Sequence, residues 1–253
     1  MTKRFENKVI LITGGASGIG LAAAQGFAKE GGRVVLADLN ADKAASAAEG
    51  IRSAGGEATS IATDVTDFSA CEAMVAHAKE SFGGLHIAFN NAGMPTNNVG
   101  GFEDVSVADW EKVISTNLSG VFYCMKAEVP LIEASGGGAI VNTASIASVI
   151  AAKGMAGYVT SKHGVAGLSK AASLDLIDRG IRVNAVCPGF VDTAMTASVL
   201  ADPAVREGIE SMAPIGRVAS AVEIANTVLF LASEEASFMV GALLSVDGGL
   251  TIQ

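Results

Sequence analysis

The chain has 253 residues, half of them apolar and 5% aromatic, with 30 glycines against 5 prolines. That length and apolar share suit one large packed domain and exclude a disordered or collagen-like chain. The formal net charge is −9, and Lys and Arg are not clustered, which argues against nucleic acid and against a polybasic membrane anchor as partners.

In chain order, short β-branched runs alternate with alanine-rich stretches of helical spacing. Strands are expected at Lys8–Thr13, Arg33–Asp38, Glu57–Thr63, His86–Asn90, Ala139–Ser145, Arg182–Cys187 and Ala242–Val246. Helices are expected at Ile19–Lys29, Ala41–Ala54, Phe68–Phe82, Ser106–Ala134, Gly157–Arg179 and Ala221–Ala232. The strands are apolar throughout, the mark of strands covered on both faces. The alternation runs to the end without a break in composition. The expected fold is therefore a single α/β domain over residues 1–253, a doubly wound parallel sheet of Rossmann-like, three-layer αβα type. Residues 190–215 fit the alternation poorly and read as a lid over a site.

No run of about 18 uninterrupted apolar residues is present, so no membrane span is expected. The charged opening Met1–Lys8 leads into one short apolar run, unlike a secretory signal. Cys71, Cys124 and Cys187 are far apart, form no C-x-x-C, and have only His77, His86 and His163 as possible co-ligands. Reduced buried thiols, a cytoplasmic location and no metal are expected.

Thr13–Gly20 reads Thr-Gly-Gly-Ala-Ser-Gly-Ile-Gly between a strand and a helix. Gly14 permits a tight turn, Gly18 lets the backbone approach a pyrophosphate, and Gly20 allows close packing of helix on strand. The helix start offers N–H groups and partial positive charge to phosphate. Asp38 ends the second strand, 18 residues after Gly20, where a carboxylate accepts ribose hydroxyls and repels a 2′-phosphate. Ala16 and Leu39 beside it offer no cation, so NAD is expected rather than NADP. Asp64-Val65 after the third strand suits the adenine, and Asn90–Gly93 after the fourth lies beside the cofactor.

Tyr158 and Lys162 stand four apart at the start of a long helix and share a face. A nearby ammonium favours the phenolate, which suits proton exchange with an alcohol oxygen near neutral pH. Ser145 closes the fifth strand, at the edge where ligands bind such sheets. Asn117 lies inside a helical stretch, a poor place for Asn unless its side chain is engaged elsewhere.

With Pro188-Gly189, Thr193 and the closing Val246-Asp-Gly-Gly249, these motifs stand in one order along essentially the whole chain, which thus resembles a short-chain dehydrogenase/reductase of about 250 residues. The resemblance implies that Tyr158 is the general acid/base, Ser145 orients the substrate oxygen, and Lys162 lowers the Tyr pKa and binds the nicotinamide ribose. It implies that Asn117 holds a water in a proton relay and that Thr193 bonds the carboxamide or a phosphate. The implied cofactor set is Gly14, Ser17, Gly18, Ile19, Gly20, Asp38, Leu39, Asp64, Val65, Asn91, Ala92, Gly93, Tyr158, Lys162, Pro188, Gly189, Val191 and Thr193. A homotetramer is implied as well, pairing Ser106–Ala134 and Gly157–Arg179 across a two-fold axis. Ile146, Ala147, Met155, Phe190 and Met195 are expected to line an uncharged substrate pocket, pointing to a neutral secondary alcohol or ketone. Two alternatives stay open: a 3-oxoacyl-[acyl-carrier-protein] reductase, and a non-catalytic dinucleotide-binding regulator.

Overall fold

The computed structural model describes residues 3–96 and 100–253. Strand Val9–Thr13 (β1) is followed by Gly18–Lys29 (α1), Arg33–Asp38 (β2), Ala41–Ser53 (α2), Glu57–Ala62 (β3), Phe68–Phe82 (α3) and Ile87–Asn90 (β4). Val107–Ile114 (α4) and Gly120–Ala134 (α5) come next, joined by the π-helical turn Ser115–Ser119. Gly138–Thr143 (β5), Ala156–Leu176 (α6) and Ile181–Pro188 (β6) follow. The last stretch holds Val191–Asp192 (β7), Ala197–Leu200 (α7), Pro203–Ser211 (α8), Ala219–Ser220 (β8), Ala221–Ala232 (α9) and Leu243–Val246 (β9).

Seven strands form one parallel sheet in the order β3-β2-β1-β4-β5-β6-β9. Alternate residues of β1 explain why its whole run is apolar. Val9 and Leu11 join a core with Met74 of α3, Met125 of α5 and Val165 of α6. Ile10 and Ile12 join the opposite core with Phe27 of α1, Ile51 of α2 and Val228 of α9. The expected three layers follow directly, because each strand needs apolar cover on both sides. Strand order reverses at β1, between β2 and β4, which opens a crevice at the carboxyl edge.

Three expectations need correction. Residues 190–215 are not wholly irregular, since they hold α7 and α8. Asp202 caps α8 through Ala204 N, and Pro203 occupies its first turn, where its missing N–H costs nothing. The single helix expected over Ser106–Ala134 is two, split at the π turn. Finally, Ser145 lies beyond the end of β5 and caps a short 3₁₀ turn, Ile146–Ser148, accepting from Ala147 N at 3.1 Å.

All three cysteines are free and buried. Among the described residues, no helix is long and apolar enough to cross a membrane, and no group of three or more His, Cys, Asp or Glu could hold a metal.

Candidate active site

α2, α3, α4 and α9 each start on a side-chain cap, from Asn40, Asp67, Ser106 and Ser220. α1 starts from Ser17 with no such cap, so its first N–H groups are left to another acceptor. The turn before it uses left-handed backbone at Gly14 and Gly18, φ +61° and +51°. A Cβ at Gly20 would overlap the Gly14 carbonyl, and one at Gly18 would lie 3.3 Å from Thr193 Cγ2. The cradle is thus shaped by the absence of side chains, as a dinucleotide phosphate requires, and Thr193 from the 190–215 segment closes one side of it.

The cradle is tied to the end of β4. Thr13 Oγ1 accepts from the N–H groups of Asn91 and Ala92 at 3.0 and 3.1 Å. Asn91 Nδ2 donates to the carbonyls of Thr13 and Gly14 at 3.2 Å. Asp38 lies at the cradle's other wall, where its carboxylate accepts from Ala16 N and Asn40 N at 3.1 and 3.0 Å. Two bonds leave lone pairs for ribose hydroxyls. Leu39 is exposed, Val65 and Val191 are buried, and Asp64 accepts from Thr66 through both its N–H and hydroxyl. Pro188 ends β6, and Gly189 N donates to Val246 O, bringing the closing glycine motif to the same edge.

Tyr158 and Lys162 lie in the first turns of α6, with the Lys162 ammonium 5.8 Å from the Tyr158 ring centre. The ammonium donates to Thr143 O at 2.7 Å. Burial pulls the Lys162 pKa down to about 8. Burial also raises that of Tyr158, against the opposite effect of a hydrogen bond with Ser145. The expected lowering of the phenol pKa by Lys162 is therefore not met in this structure. Desolvation of the phenol outweighs the bonds that favour its charged form.

Asn117 is fully buried in the π turn, a distortion that recurs at functional sites. Its Oδ1 accepts from Met94 N at 2.8 Å. Its Nδ2 donates to Met94 O at 2.9 Å and to Ser161 Oγ at 3.3 Å. Ser161 Oγ in turn donates to Tyr158 O at 2.7 Å. Both amide hydrogens of Asn117 are thus committed to protein. Gly93 lies close by, where a Cβ would stand 3.3 Å from Asn117 Oδ1 and 3.8 Å from Lys162 Nζ.

Ser145, Tyr158, Lys162, Asn117 and Gly93 therefore gather at one edge. Ile146 and Ala147 follow Ser145 directly, and Met155 precedes α6. Phe190 follows Gly189 at the end of β6. It lines a cavity of about 70 Å³ with Ile209, Ala213 and Val246, which neither Ser145 nor Tyr158 touches. Met195 is 46% exposed on the 190–215 segment. Ser161 and Thr143 were not singled out from sequence. A Ser fixed between the Tyr and the Lys of one helix face was the available signal for the first, and a strand-end carbonyl offers none for the second.

The family model described as enoyl-(acyl carrier protein) reductase matches residues 14–251. The chain is 44% identical over 251 residues to a cyclohexanol dehydrogenase of Acinetobacter sp. (strain SE19), covering 99% of this chain and 98% of that one. It is 41% identical over 251 residues to a cis-4-hydroxycyclohexanecarboxylate dehydrogenase of Sinomonas cyclohexanicum, covering 99% of each. Among solved structures, a levodione reductase superposes with TM-score 0.92 at 34% identity, over 97% of this chain and 98% of that one. Sequence and fold agree across nearly the whole length, and the chain belongs to the short-chain dehydrogenase/reductase family of nicotinamide-dinucleotide oxidoreductases.

Proposed function

We propose that this chain is an NAD-dependent dehydrogenase of neutral cyclic secondary alcohols, interconverting ring alcohol and ketone. The observation that carries the reading is the buried Tyr158 phenol, with Ser145 near enough to favour its charged form and the Lys162 ammonium 5.8 Å from its ring centre, at the edge that holds the glycine cradle. The Ser145 hydroxyl and the Tyr158 phenol bind the substrate oxygen. Tyr158 takes the hydroxyl proton on oxidation and returns it on reduction. Lys162 holds positive charge beside the phenol, which favours the phenolate that accepts this proton, with Asn117 anchoring the surrounding backbone. When bound, the nicotinamide supplies the hydride acceptor or donor.

The carboxylate of Asp38 supports NAD, because a 2′-phosphate beside it would meet like charge. Two relatives are named for six-membered ring alcohols, which supports a cyclic substrate. Ile146, Ala147 and Met155 beside the reacting groups are uncharged, which supports a neutral one. The 190–215 segment serves as the lid. We further propose a homotetramer. Phe122, Leu174, Ile177, Phe238 and Ile252 are large exposed apolar side chains suited to burial between copies. Light scattering tests this, and a monomer would remove it.

The test of function is a turnover screen with NAD and NADP in parallel, over cyclohexanol, its 4-carboxylate derivatives and a 3-oxoacyl thioester. Cyclohexanol oxidation with NAD is the expected result. Preference for the carboxylate would overturn the neutral assignment. Preference for the thioester with NADPH would favour the acyl-carrier reductase. Cofactor binding without turnover of any of these would favour a regulator.

A further inference from the structure

α5 carries a carboxyl that takes no part in this chemistry. Glu128 is fully buried, on the helix face that also packs Val121, Cys124, Met125 and Ile132 into the core. It belongs to a chain of side-chain bonds running across two strands. Asn90 Nδ2 donates to Glu128 Oε2 and to Asn142 Oδ1, both at 3.1 Å. Asn142 Nδ2 donates to Ser169 Oγ at 2.9 Å. The chain thus joins α5, β4, β5 and α6, directly behind the edge that holds the site.

Two atoms in it are left over. Asn90 Oδ1 and Glu128 Oε1 are buried without a partner, and they sit on two side chains already joined by one hydrogen bond. If the carboxyl were ionised, both atoms would be acceptors, and two buried lone-pair groups would go unsatisfied. A proton on Oε1 makes it a donor and gives Asn90 Oδ1 its partner. Amide and acid then face each other through two antiparallel hydrogen bonds.

We propose that Glu128 is a positioning residue held as a neutral acid, its one proton closing a cyclic acid–amide pair with Asn90. The pair fixes the end of β4, from which Asn91, Ala92 and Gly93 reach the cradle and the catalytic groups. The effect on coenzyme rests on the function proposed above, whereas the protonation does not.

The surroundings agree. Burial pushes the Glu128 carboxyl up to about 8, against the lowering effect of the Asn90 bond. The titratable groups nearest are thiols. Cys124 lies one turn back on α5, and Cys71 Sγ of α3 is 3.8 Å from Cys124 Sγ. The bond to Cys71, and then burial, hold the Cys124 thiol well above its ordinary value, so it adds no charge at neutral pH. β4 meets the carboxyl with Asn90, and behind it β5 and α6 supply Asn142 and Ser169, none of which ionises.

Glu128→Gln keeps the shape and replaces the proton with an amide donor, but cannot titrate. Melting temperatures of wild type and Glu128→Gln, from about pH 5 to about pH 9, read the proton directly. A carboxyl whose pKa rises on folding contributes stability that is full below its unfolded value of 4.5 and lost as pH rises through about 8. The variant should therefore gain on wild type steadily up to about pH 8 and then hold its lead. Lys162 titrates in both chains and cancels. A constant difference across the range would mean an ionised carboxylate and overturn the proposal.

Difference infrared spectroscopy at neutral pH is the second readout. A protonated-carboxyl carbonyl band, shifted in heavy water, should appear in wild type and vanish in Glu128→Gln, and its absence from wild type overturns the proposal. For positioning, NADH affinity should stay within about threefold in Glu128→Gln and weaken about tenfold in Glu128→Met, which leaves Asn90 only its bond to Asn142. Undiminished affinity in Glu128→Met would refute the positioning role. Wild type that binds no NADH would sink the proposed function and that role together, while the infrared band still decides the proton.

Discussion

The two edges of the central sheet use their polar side chains in different ways. At the amino edge they tie off backbone. His86 Nδ1 accepts from Val9 N at 3.0 Å, Arg33 donates to the carbonyls of Asn7 and Phe82, and Arg182 donates to those of Leu231 and Ser233. At the carboxyl edge polar side chains also bond backbone, as Asn117 does to Met94 and Lys162 to Thr143, but there they are buried beside one another. There burial lowers the pKa of Lys162 and raises that of Tyr158, so that each group is pushed towards its neutral form. Side chains that bond backbone and nothing else complete the fold. Side chains held in each other's company with shifted proton affinities are equipped for chemistry.

Substitutions at the two edges should therefore separate activity from stability. The largest expected effect is Tyr158→Phe, which should lower turnover by about 10²–10⁴ while melting temperature and NADH affinity barely change, because it removes the proton carrier and little packing. Retained turnover would break the assignment. Next is Asp38→Ala, expected to lower kcat/KM for NAD by roughly tenfold to a hundredfold, with a gain for NADP, through loss of charged hydrogen bonds to ribose. Parallel kinetics with both coenzymes check it.

The smallest effect sharpens the contrast from the other side. His86→Ala at the amino edge should lose about 1 kcal/mol of stability by denaturant unfolding and leave kcat unchanged, since it orphans one strand N–H. The His86 pKa is lowered by burial and by the charges of Lys8 and Arg33. Its contribution is therefore present above the unfolded value of 6.5 and lost as pH falls through the lower folded value. Wild type should lose stability over that acid range more steeply than His86→Ala, and equal slopes would exclude the role.

What could be read from the chain alone follows from how far each interaction reaches. The glycines of the first turn, the unbroken apolar strands and the Tyr158–Lys162 spacing are local, so they were legible. Asn117 stood out as an odd residue within a helix, but its grip on Met94 depends on chain 23 residues away, and the π turn was missed. The bond from Lys162 to Thr143 needs β5 and α6 packed together. In the 190–215 segment, α7 is too short to show periodicity. α8 did have its signal in Asp202-Pro203, a cap followed by a helix-starting proline. Glu128 was visible too, as one acid among apolar residues three and four apart, but its partners lie on other elements.

The double grip of Asn117 on the Met94 peptide has a consequence for how such a protein diversifies. The chain leaving β4 is riveted at Met94 to the amide that, through Ser161, steadies the first turn of α6. Substitutions elsewhere in the loops of this edge can therefore accumulate while the start of α6 and the end of β4 stay locked together.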